Sequence, residues 1–541
     1  MSKRIPVLFG TETGNSEYCA ETMAEALCAV GIEAEPIDMY DFEPDEILNE
    51  STVIIITSTY GNGDPPENAA DLLAYLQDDG PDLSNLRFAI CGLGDSSFTH
   101  FAQCGKDFET ALLGGQATKM FDRVDCDGDF ELPFERFKEA TVQYLQANPE
   151  QSASIPAASS VSVEASAPSE SAGPSRDEPY SAPLAQKRLL SRAGSAKETM
   201  HYELDISGSG LDYRVGDCFG IVPPNDPADI RSVLAAAELS GDEVVTWDGG
   251  DATLSIHLQR ACIQRPTVAL LKHIATLQPR ATTLTQALVA GDSATAEFMN
   301  NNDVIDVLLG NHTTALTAQS LVSALRKIQP RLYSIASSPT ANPSRVAFTI
   351  ETVRYQRNDR SIKGLASCWL ADRLSIGDAV PTYVVKNDAF LFPTDGTPVI
   401  MVGPGTGIAP FRAYLQEVEA AGLSSDTWLF FGHQHQDKDF LYKEELQAWL
   451  SSGTLNRADF AWSRDQEHKV YVQHRIQQRG AELWSWLQRG AIVYVCGDAN
   501  HMAPDVETAF AELAESQGNV ADGRAWLAQL KSADRYRADV Y

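Results

Sequence analysis

The 541-residue chain is predicted to be a multidomain α/β protein, with a doubly wound parallel-sheet module at each end and an antiparallel β-barrel carrying a helical insertion between them. Three observations predict this class. Short apolar segments alternate with helical stretches at both ends of the chain. Strand-like segments dominate the middle. A stretch rich in Ser, Ala and Pro separates the first module from the rest.

The first module is assigned to residues 1–148. Residues 6–10, 53–57 and 88–92 have the pattern of buried strands, and residues 16–30 have that of a crossover helix. This alternation is typical of a parallel sheet with helices on both faces.

Residues 149–180 are predicted to be a flexible linker. Positions 151–180 hold nine Ser, six Ala and four Pro, with Tyr180 as the one aromatic residue. Such a composition buries too little apolar surface to offset the entropy cost of ordering. A flexible coil of about 30 residues has an end-to-end distance of roughly 30 Å, so we expect one module to swing against another.

The middle of the chain, residues 181–395, is predicted to form the barrel, with a helical insertion at about 226–328. The remaining residues, 396–541, are predicted to form a second parallel-sheet module. The strands expected in the barrel are 201–206, 217–222, 331–336 and 346–353, and those expected in the last module are 399–402, 427–432, 459–462 and 492–496.

Composition argues against several classes of protein. The longest apolar runs are far shorter than a bilayer span, and the strand pattern begins at once after Arg4, so we expect no membrane anchor, no signal peptide and a cytoplasmic location. The nine cysteines are scattered singly, which predicts reduced thiols and no metal site. A net charge of −32 makes nucleic-acid binding improbable.

The negative charge is concentrated in the first module. Residues 1–148 hold 28 Asp and Glu against 8 Lys and Arg. That module is expected to attract a partner with a basic surface. An acidity that only aids solubility, or that suits a salty cytoplasm, is an equal alternative.

Three strands of the first module end in loops suited to a phosphate and a flat ring. Residues 11–16 combine hydroxyls, a glycine and free amides at a helix start, with no lysine of the kind a P-loop has. Residues 58–63 and 93–98 are glycine-rich loops that carry Tyr60 and Phe98. Ligands of open α/β sheets lie at the carboxyl ends of strands, so the two aromatics could enclose a ring. Each loop alone would be an ordinary cap or turn.

On these motifs, residues 1–148 resemble flavodoxin-type domains, which bind FMN. Phe98 departs from the tyrosine common at the second stacking position. The resemblance implies FMN contacts from Thr11, Glu12, Thr13, Gly14, Asn15, Ser16, Ser58, Thr59, Tyr60, Gly61, Leu93, Gly94, Asp95, Ser96, Ser97, Phe98, Thr99, His100, Phe101 and Ala102.

A second motif, residues 331–338, places a cation, an aromatic and a hydroxyl on consecutive strand positions. Arg can pair with a diphosphate, Tyr can stack on an aromatic ring, and Ser can hydrogen-bond the central edge of a flavin. The string resembles the FAD signature of the ferredoxin–NADP reductase superfamily, although relatives carry a small residue at the position of Glu351. The FAD contacts implied are Arg331, Leu332, Tyr333, Ser334, Thr349, Ile350, Glu351, Tyr355, Gly364, Leu365, Ala366, Ser367 and Tyr541.

A third motif, residues 403–410, follows a strand and opens a helix, which is the setting that receives the pyrophosphate of a dinucleotide. Further on, two cations and two hydroxyls within residues 463–473 suit a 2′-phosphate, unless they are only solvated surface groups. The NADPH contacts implied are Gly405, Thr406, Gly407, Ser463, Arg464, Lys469, Val470, Tyr471, Val472, Gln473 and Asp505.

Taken together, the motifs resemble the diflavin reductase family of NADPH–cytochrome reductases and sulfite reductase flavoproteins, and the sulfite reductase members most. Two features depart from those members: the chain begins at the flavodoxin strand, and Val215 stands at a usual proline position. The resemblance assigns Ser334, Cys496 and Asp539 to the group beside the nicotinamide, with Tyr541 covering the FAD ring.

The function implied is electron transfer from NADPH through FAD and FMN to a haem protein. The sulfite reductase haemoprotein is the first candidate for that acceptor. A haem-thiolate monooxygenase or another carrier is the alternative within enzymes. A flavin-binding electron-storage protein is the alternative from a different class.

Overall fold

The computed structural model describes residues 4–11, 14–59, 63, 65–78, 80–94, 100–128, 130–148, 174–176, 178–277, 282–311 and 315–541. The chain divides into two compact units. One contains residues 1–167 and 224–329, and the other contains 168–223 and 330–541. The predicted linker lies largely outside the described residues. No helix within the described ranges is both long and apolar enough to cross a membrane.

The first module contains a parallel sheet with helices on both faces. Its strands are β1 (Ile5–Gly10), β2 (Ala34–Asp38), β3 (Thr52–Ser58), β4 (Arg87–Gly94), β5 (Thr118–Lys119) and β6 (Val124–Asp127), and its helices are α1 (Asn15–Ala29), α2 (Glu67–Asp78), α3 (Gln103–Gly114) and α4 (Glu131–Ala147). The sheet order is β2-β1-β3-β4, with β5 and β6 both paired to β4. All pairs are parallel, so the carboxyl ends of β1, β3 and β4 lie at one edge of the sheet.

Two short 3₁₀ helices, Met39–Asp41 and Pro44–Asn49, follow β2. Strand β2 was not predicted from the sequence. Its residues are all half-buried, so it lacks the continuous apolar run that marks β1 and β3.

Strands β7 (Tyr180–Leu189), β8 (Thr199–Asp205) and β9 (Cys218–Ile221) begin the antiparallel part of the second unit. The helical insertion then follows as predicted and belongs to the first unit. It comprises α5 (Pro227–Ala237), the hairpin β10 (Val244–Trp247) and β11 (Gly250–Thr253), and α6 (Leu254–His257), α7 (Val268–Leu277), α8 (Thr283–Ala290), α9 (Asp292–Asn301), α10 (Val304–Gly310) and α11 (Ala318–Ser323).

The chain then returns to the antiparallel sheet through β12 (Arg331–Ser334), β13 (Arg345–Glu351), the hairpin β14 (Arg354–Arg357) and β15 (Arg360–Lys363), helix α12 (Leu365–Cys368) and β16 (Ala379–Val385). The six-stranded order is β12-β9-β16-β7-β8-β13. The predicted barrel is therefore an open sheet. Its end strands β12 and β13 meet at one isolated bridge, between Ile335 and Phe348, because β12 is only four residues long.

The last module is the predicted second parallel sheet. Its strands are β17 (Val399–Val402), β18 (Thr427–His433), β19 (Arg457–Trp462), β20 (Ile492–Gly497) and β21 (Tyr536–Val540), and its helices are α13 (Ala409–Ala421), α14 (Gln436–Asp439), α15 (Lys443–Ser452), α16 (Val472–Gln478), α17 (Gly480–Gln488), α18 (Met502–Gly518) and α19 (Gly523–Ser532). The order is β19-β18-β17-β20-β21. The last strand, β21, places Asp539 directly beside Cys496 on β20.

Candidate functional site

The loop after β1 has the geometry of an anion cradle. The Gly14 amide donates to Thr11 Oγ1 at 2.9 Å, and Gly14 has a φ of 87°, which favours glycine. The Ser16 hydroxyl is buried and has no hydrogen-bond partner among the described residues. A buried hydroxyl without a partner is costly, and a phosphate oxygen would satisfy it. These observations fit the FMN phosphate predicted here, although Glu12 and Thr13 lie outside the described residues.

The described start of the loop after β3 lies beside the end of β1, since the Ser58 hydroxyl donates to the Gly10 carbonyl at 3.4 Å. The Thr59 amide donates to the Leu93 carbonyl at 3.0 Å, and Thr59 Oγ1 accepts from the Cys104 amide at 3.2 Å. A Cβ added to Gly94 would lie 2.8 Å from the Ala102 nitrogen, so only glycine allows this approach. The structure therefore brings the described parts of the three predicted loops together. The other predicted FMN contacts outside the described residues are Tyr60, Gly61, Asp95, Ser96, Ser97, Phe98 and Thr99.

Sequence analysis missed Asn68, which links the cradle to β2. Its side-chain oxygen accepts from the Thr11 amide and its amide nitrogen donates to Asp38, both at 2.9 Å. Asn68 lies within α2 and is buried, so only tertiary packing shows its role.

The predicted FAD residues fall into two groups. Tyr333 and Ser334 lie on β12 and are half-buried, and Arg331 on the same strand is exposed. Gly364 caps α12, where an added Cβ would lie 2.5 Å from Ser367 Oγ, and Ser367 Oγ accepts from the Val353 amide at 3.1 Å. This tight turn fits the pyrophosphate loop that the resemblance implies.

The predicted residues on and after β13 are more varied. Thr349 and Ile350 are buried, and the Thr349 hydroxyl bonds the Tyr442 hydroxyl at 2.7 Å. Glu351 pairs with Lys197 at 2.5 Å, and Tyr355 is exposed on the β14–β15 hairpin. A contact with the last module therefore accounts for Thr349, and packing in the sheet core accounts for Ile350, without a flavin.

The three residues assigned to the nicotinamide side do meet. Ser334 Oγ donates to Asp539 Oδ2 at 2.5 Å, and the Cys496 thiol lies 3.8 Å from the same oxygen. Burial raises the pKa of the Asp539 carboxyl, and hydrogen bonds from Ser334 and Cys496 oppose that rise. Burial, with the nearby carboxylate of Asp539, raises the pKa of the Cys496 thiol well above its usual range. The thiol is therefore protonated at neutral pH and acts as a donor.

The C-terminal Tyr541 lies beside the glycine-rich loop of the last module. Its amide donates to the Gly497 carbonyl at 3.0 Å, and its hydroxyl lies 2.9 Å from Thr406 Oγ1. The residue is 61% exposed, although both its amide and its hydroxyl are hydrogen-bonded. A planar group stacked on this ring would remove that exposure, as the predicted FAD lid requires.

A cavity of about 530 Å³ lies at the carboxyl ends of β17, β18 and β19. Eight of the predicted NADPH residues line it: Gly405, Ser463, Arg464, Lys469, Tyr471, Val472, Gln473 and Asp505. Thr406 and Gly407 lie on the adjoining loop, where an added Cβ at Gly407 would lie 2.0 Å from the Cys496 carbonyl oxygen. Val470 packs against the core of the last module instead.

The charges in this cavity suit a phosphate. The side chains of Arg464 and Lys469 are exposed and make no ion pair or hydrogen bond within the described ranges. Arg464 is held through its backbone, since its amide donates to the Gln434 carbonyl at 2.9 Å. The Gln473 side chain donates to Asp505 at 2.8 Å, and this bond connects two helices that line the cavity. Because Arg464 and Lys469 have no acidic partner among the described residues of this acidic chain, they indicate a site for an anionic ligand.

Several cavity residues were not predicted. They are Lys197, Pro404, Gly432, His433, Gln434, Ala461, Asp498, His501 and Met502. Lys197 comes from the segment before β8, more than 200 residues from the other cations in the sequence. The remaining residues flank strand ends, and their position after a predicted parallel strand was a signal that could have identified them.

Three family models match the chain. The flavodoxin model matches residues 7–139, the FAD binding domain model matches 174–290 and 264–369, and the oxidoreductase NAD-binding domain model matches 401–508. These matches agree with the cofactors expected from the loops: FMN, FAD and a nicotinamide nucleotide.

The chain is also similar over its whole length to curated proteins. It is 40% identical to the sulfite reductase (NADPH) flavoprotein alpha-component of Bacillus subtilis, covering 100% of this chain and 90% of that protein. The proteins of the same name from Aliivibrio fischeri and Yersinia pestis are each 38% identical, covering 99% of this chain and 89% and 90% of those proteins.

Proposed function

Because the chain belongs to the family of sulfite reductase (NADPH) flavoprotein alpha-components, we propose that it transfers electrons from NADPH through FAD and FMN to the sulfite reductase haemoprotein. FAD can accept a hydride from a nicotinamide, and a second flavin can release electrons singly to a haem acceptor. The residues described above bind and orient these groups.

The observation that carries the proposal is the hydrogen bond between Ser334 and Asp539. Ser334 lies on β12, which carries the FAD motif, and Asp539 lies on β21 of the nucleotide module. Beside them, Tyr541 is tied through Thr406 to the loop that enters the NADPH cavity. A flavin held by β12 and a nicotinamide held by the cavity loop would therefore meet at this point.

In this arrangement Asp539 and Cys496 offer a carboxylate and a thiol donor beside the nicotinamide. Burial and the nearby Asp539 raise the pKa of the Cys496 thiol, so the thiol holds a proton near the reacting ring. Arg464 and Lys469 would bind the 2′-phosphate and so select NADPH over NADH. Thr11, Gly14 and Ser16 would bind the FMN phosphate.

We further propose that a basic face of the haemoprotein docks on the acidic first module of this chain. Residues 5–86 contain 18 Asp and Glu and neither Lys nor Arg. A field of one sign over a whole surface speeds the approach of an oppositely charged partner.

Some acidic groups of the first module already face cations of the insertion. Lys327 lies 3.3 Å from Glu17 and 3.5 Å from Glu21 on α1. Lys272 lies 2.9 Å from Glu135 on α4. Those two helices are therefore partly neutralised within the same unit.

The acidic residues after β2 are not neutralised in this way. Asp41, Glu43, Asp45 and Glu46 are exposed, and none forms an ion pair with a cation of the described segments. They begin three residues after Asp38, which Asn68 connects to the FMN cradle. This segment supports the proposed basic docking face on the partner, because it places unpaired negative charge close in sequence to a residue bonded to the proposed FMN phosphate cradle.

The experiment that tests the function mixes the purified holoenzyme with NADPH without oxygen, then adds the sulfite reductase haemoprotein. We expect loss of the flavin absorbance, followed by its return as the haem spectrum changes. Flavin bleaching without transfer to the haemoprotein would contradict the acceptor, and transfer to a haem-thiolate monooxygenase instead would identify the alternative reductase. No bleaching with NADPH would refute the activity.

A further inference from the structure

Cys218, which neither the motifs nor the relatives' names assign, lies directly opposite Ser334. The antiparallel pairing of β9 with β12 places Ser334 against Cys218, and the pairing of β9 with β16 places Val385 on its other side. Cys218 is only 5% exposed. Directly opposed residues in an antiparallel pair share one face of the sheet, with Cβ atoms about 5 Å apart.

Two pairs of residues on neighbouring strands are thus joined by one hydrogen bond. Cys218 faces Ser334 across β9 and β12, and Cys496 faces Asp539 across the parallel strands β20 and β21. The bond from Ser334 to Asp539 joins the two sets. Each partner of this bond therefore has a cysteine beside it on the neighbouring strand.

A thiol beside Ser334 competes little with Asp539 for the proton of the Ser334 hydroxyl. Sulfur is a weak donor and a weak acceptor, so a thiol fills space beside a hydroxyl without competing for its strong partner. Ser334 has one proton to donate, and the Asp539 carboxylate is its best acceptor. Burial and the nearby Asp539 raise the pKa of the Cys218 thiol, which keeps it neutral and adds no second negative charge.

We propose that Cys218 is a positioning residue for hydride transfer, which keeps the Ser334 hydroxyl directed at Asp539. The proposal rests on the function proposed above, since it assigns a further residue to the same group. It concerns only residues of this chain, and Cys218 acts through Ser334 rather than by touching the nicotinamide.

The test compares two variants of the full-length holoenzyme. Cys218→Ser adds a strong donor and acceptor beside Ser334, whereas Cys218→Ala adds none. We expect Cys218→Ser to slow flavin reduction by NADPH about tenfold, as the loss of one hydrogen bond to a charged group would. Cys218→Ala should slow it less, by about threefold or under. The Kd for NADP⁺ should stay within about twofold in both, because the cavity is unchanged.

Cys262→Ala is the matched control. Cys262 is buried like Cys218 but lies in the other unit, so its loss should leave the rate of flavin reduction unchanged. Equal rates for Cys218→Ser, Cys218→Ala and the natural protein would overturn the proposal. A slower rate accompanied by an equally weakened Kd in Cys218→Ser would also overturn it, because that pattern means general damage to the site.

A spectroscopic measurement tests, without catalysis, the contact between the Cys218 thiol and the Ser334 hydroxyl, whose hydrogen bond opposes the rise in the thiol's pKa. The S–H stretching band that disappears in Cys218→Ala identifies the Cys218 thiol. That band should shift when Ser334→Ala is introduced into the chain with Cys218 intact, and the band lost in Cys262→Ala should not. An unshifted Cys218 band refutes the contact, even if Cys218→Ser fails to fold. If the band shifts but NADPH does not reduce the flavin of the natural protein, the proposed function fails and the contact stands.

Discussion

Replacing Arg464 by Ala should specifically reduce the preference for NADPH over NADH. The Arg464 guanidinium lies in the 530 Å³ cavity and has no partner among the described side chains, so its bonding capacity is available to a ligand. Charge-assisted hydrogen bonds contribute about 1.5 to 3 kcal/mol, which corresponds to a loss of roughly 10- to 150-fold in kcat/KM for NADPH. NADH lacks the 2′-phosphate, so its kcat/KM should change little.

The same structure predicts that the variant folds normally. The Arg464 backbone amide bonds the Gln434 carbonyl and does not depend on the side chain. Replacement of an exposed side chain without partners changes stability by about 0.5 kcal/mol or less. The unfolding midpoint should therefore match that of the natural protein.

Arg457→Ala is the control. Arg457 is the first residue of β19, whereas Arg464 follows the end of that strand. Arg457 pairs with Glu482 and packs over the Trp428 ring. The measurement is kcat/KM for each nucleotide with ferricyanide as acceptor. Arg457→Ala should keep the natural NADPH/NADH ratio. An unchanged ratio in Arg464→Ala would remove this residue from the phosphate site.

Three further outcomes are expected. Removal of Tyr541 should raise kcat/KM for NADH, because the role proposed for its ring is to cover the FAD, and should leave FMN content unchanged, because the proposed FMN contacts all lie within residues 11–102; equal NADH turnover would contradict the lid. A fragment of residues 180–541 should bind FAD and reduce ferricyanide but lose most of its activity toward cytochrome c, and a fragment as active as the full chain would show that FMN is not the exit. Glu203, whose pKa is lowered to about 2 by hydrogen bonds from His201 and Arg345, should stabilise the fold above pH 4.5 and progressively less as the pH falls toward 2. Glu203→Gln should flatten that part of the acid unfolding curve, and an unaltered curve would contradict it.

Much of the fold was predictable because periodicity and strand-end loops are local properties. Strands β1, β3, β4 and β17 are continuous apolar runs, and each was identified to within about a residue or two. Strands β2 and β21 are half-buried and mixed in composition, so no local pattern marked them. The barrel was expected to close, but the shortness of β12 leaves one bridge between the end strands.

The sequence by itself determined the modules, the cofactor types and the loops at the strand ends, because parallel strands bring their carboxyl-end loops to one edge wherever they fold. Only the tertiary structure decided which distant side chains meet. The pairing of β21 with β20 placed Asp539 beside Cys496, and the pairing of β12 with β9 placed Cys218 opposite Ser334. Strand pairing of this kind depends on packing across the whole sheet, since contacts between residues 43 positions apart (Cys496 and Asp539) or 116 positions apart (Cys218 and Ser334) leave no periodic trace in the sequence.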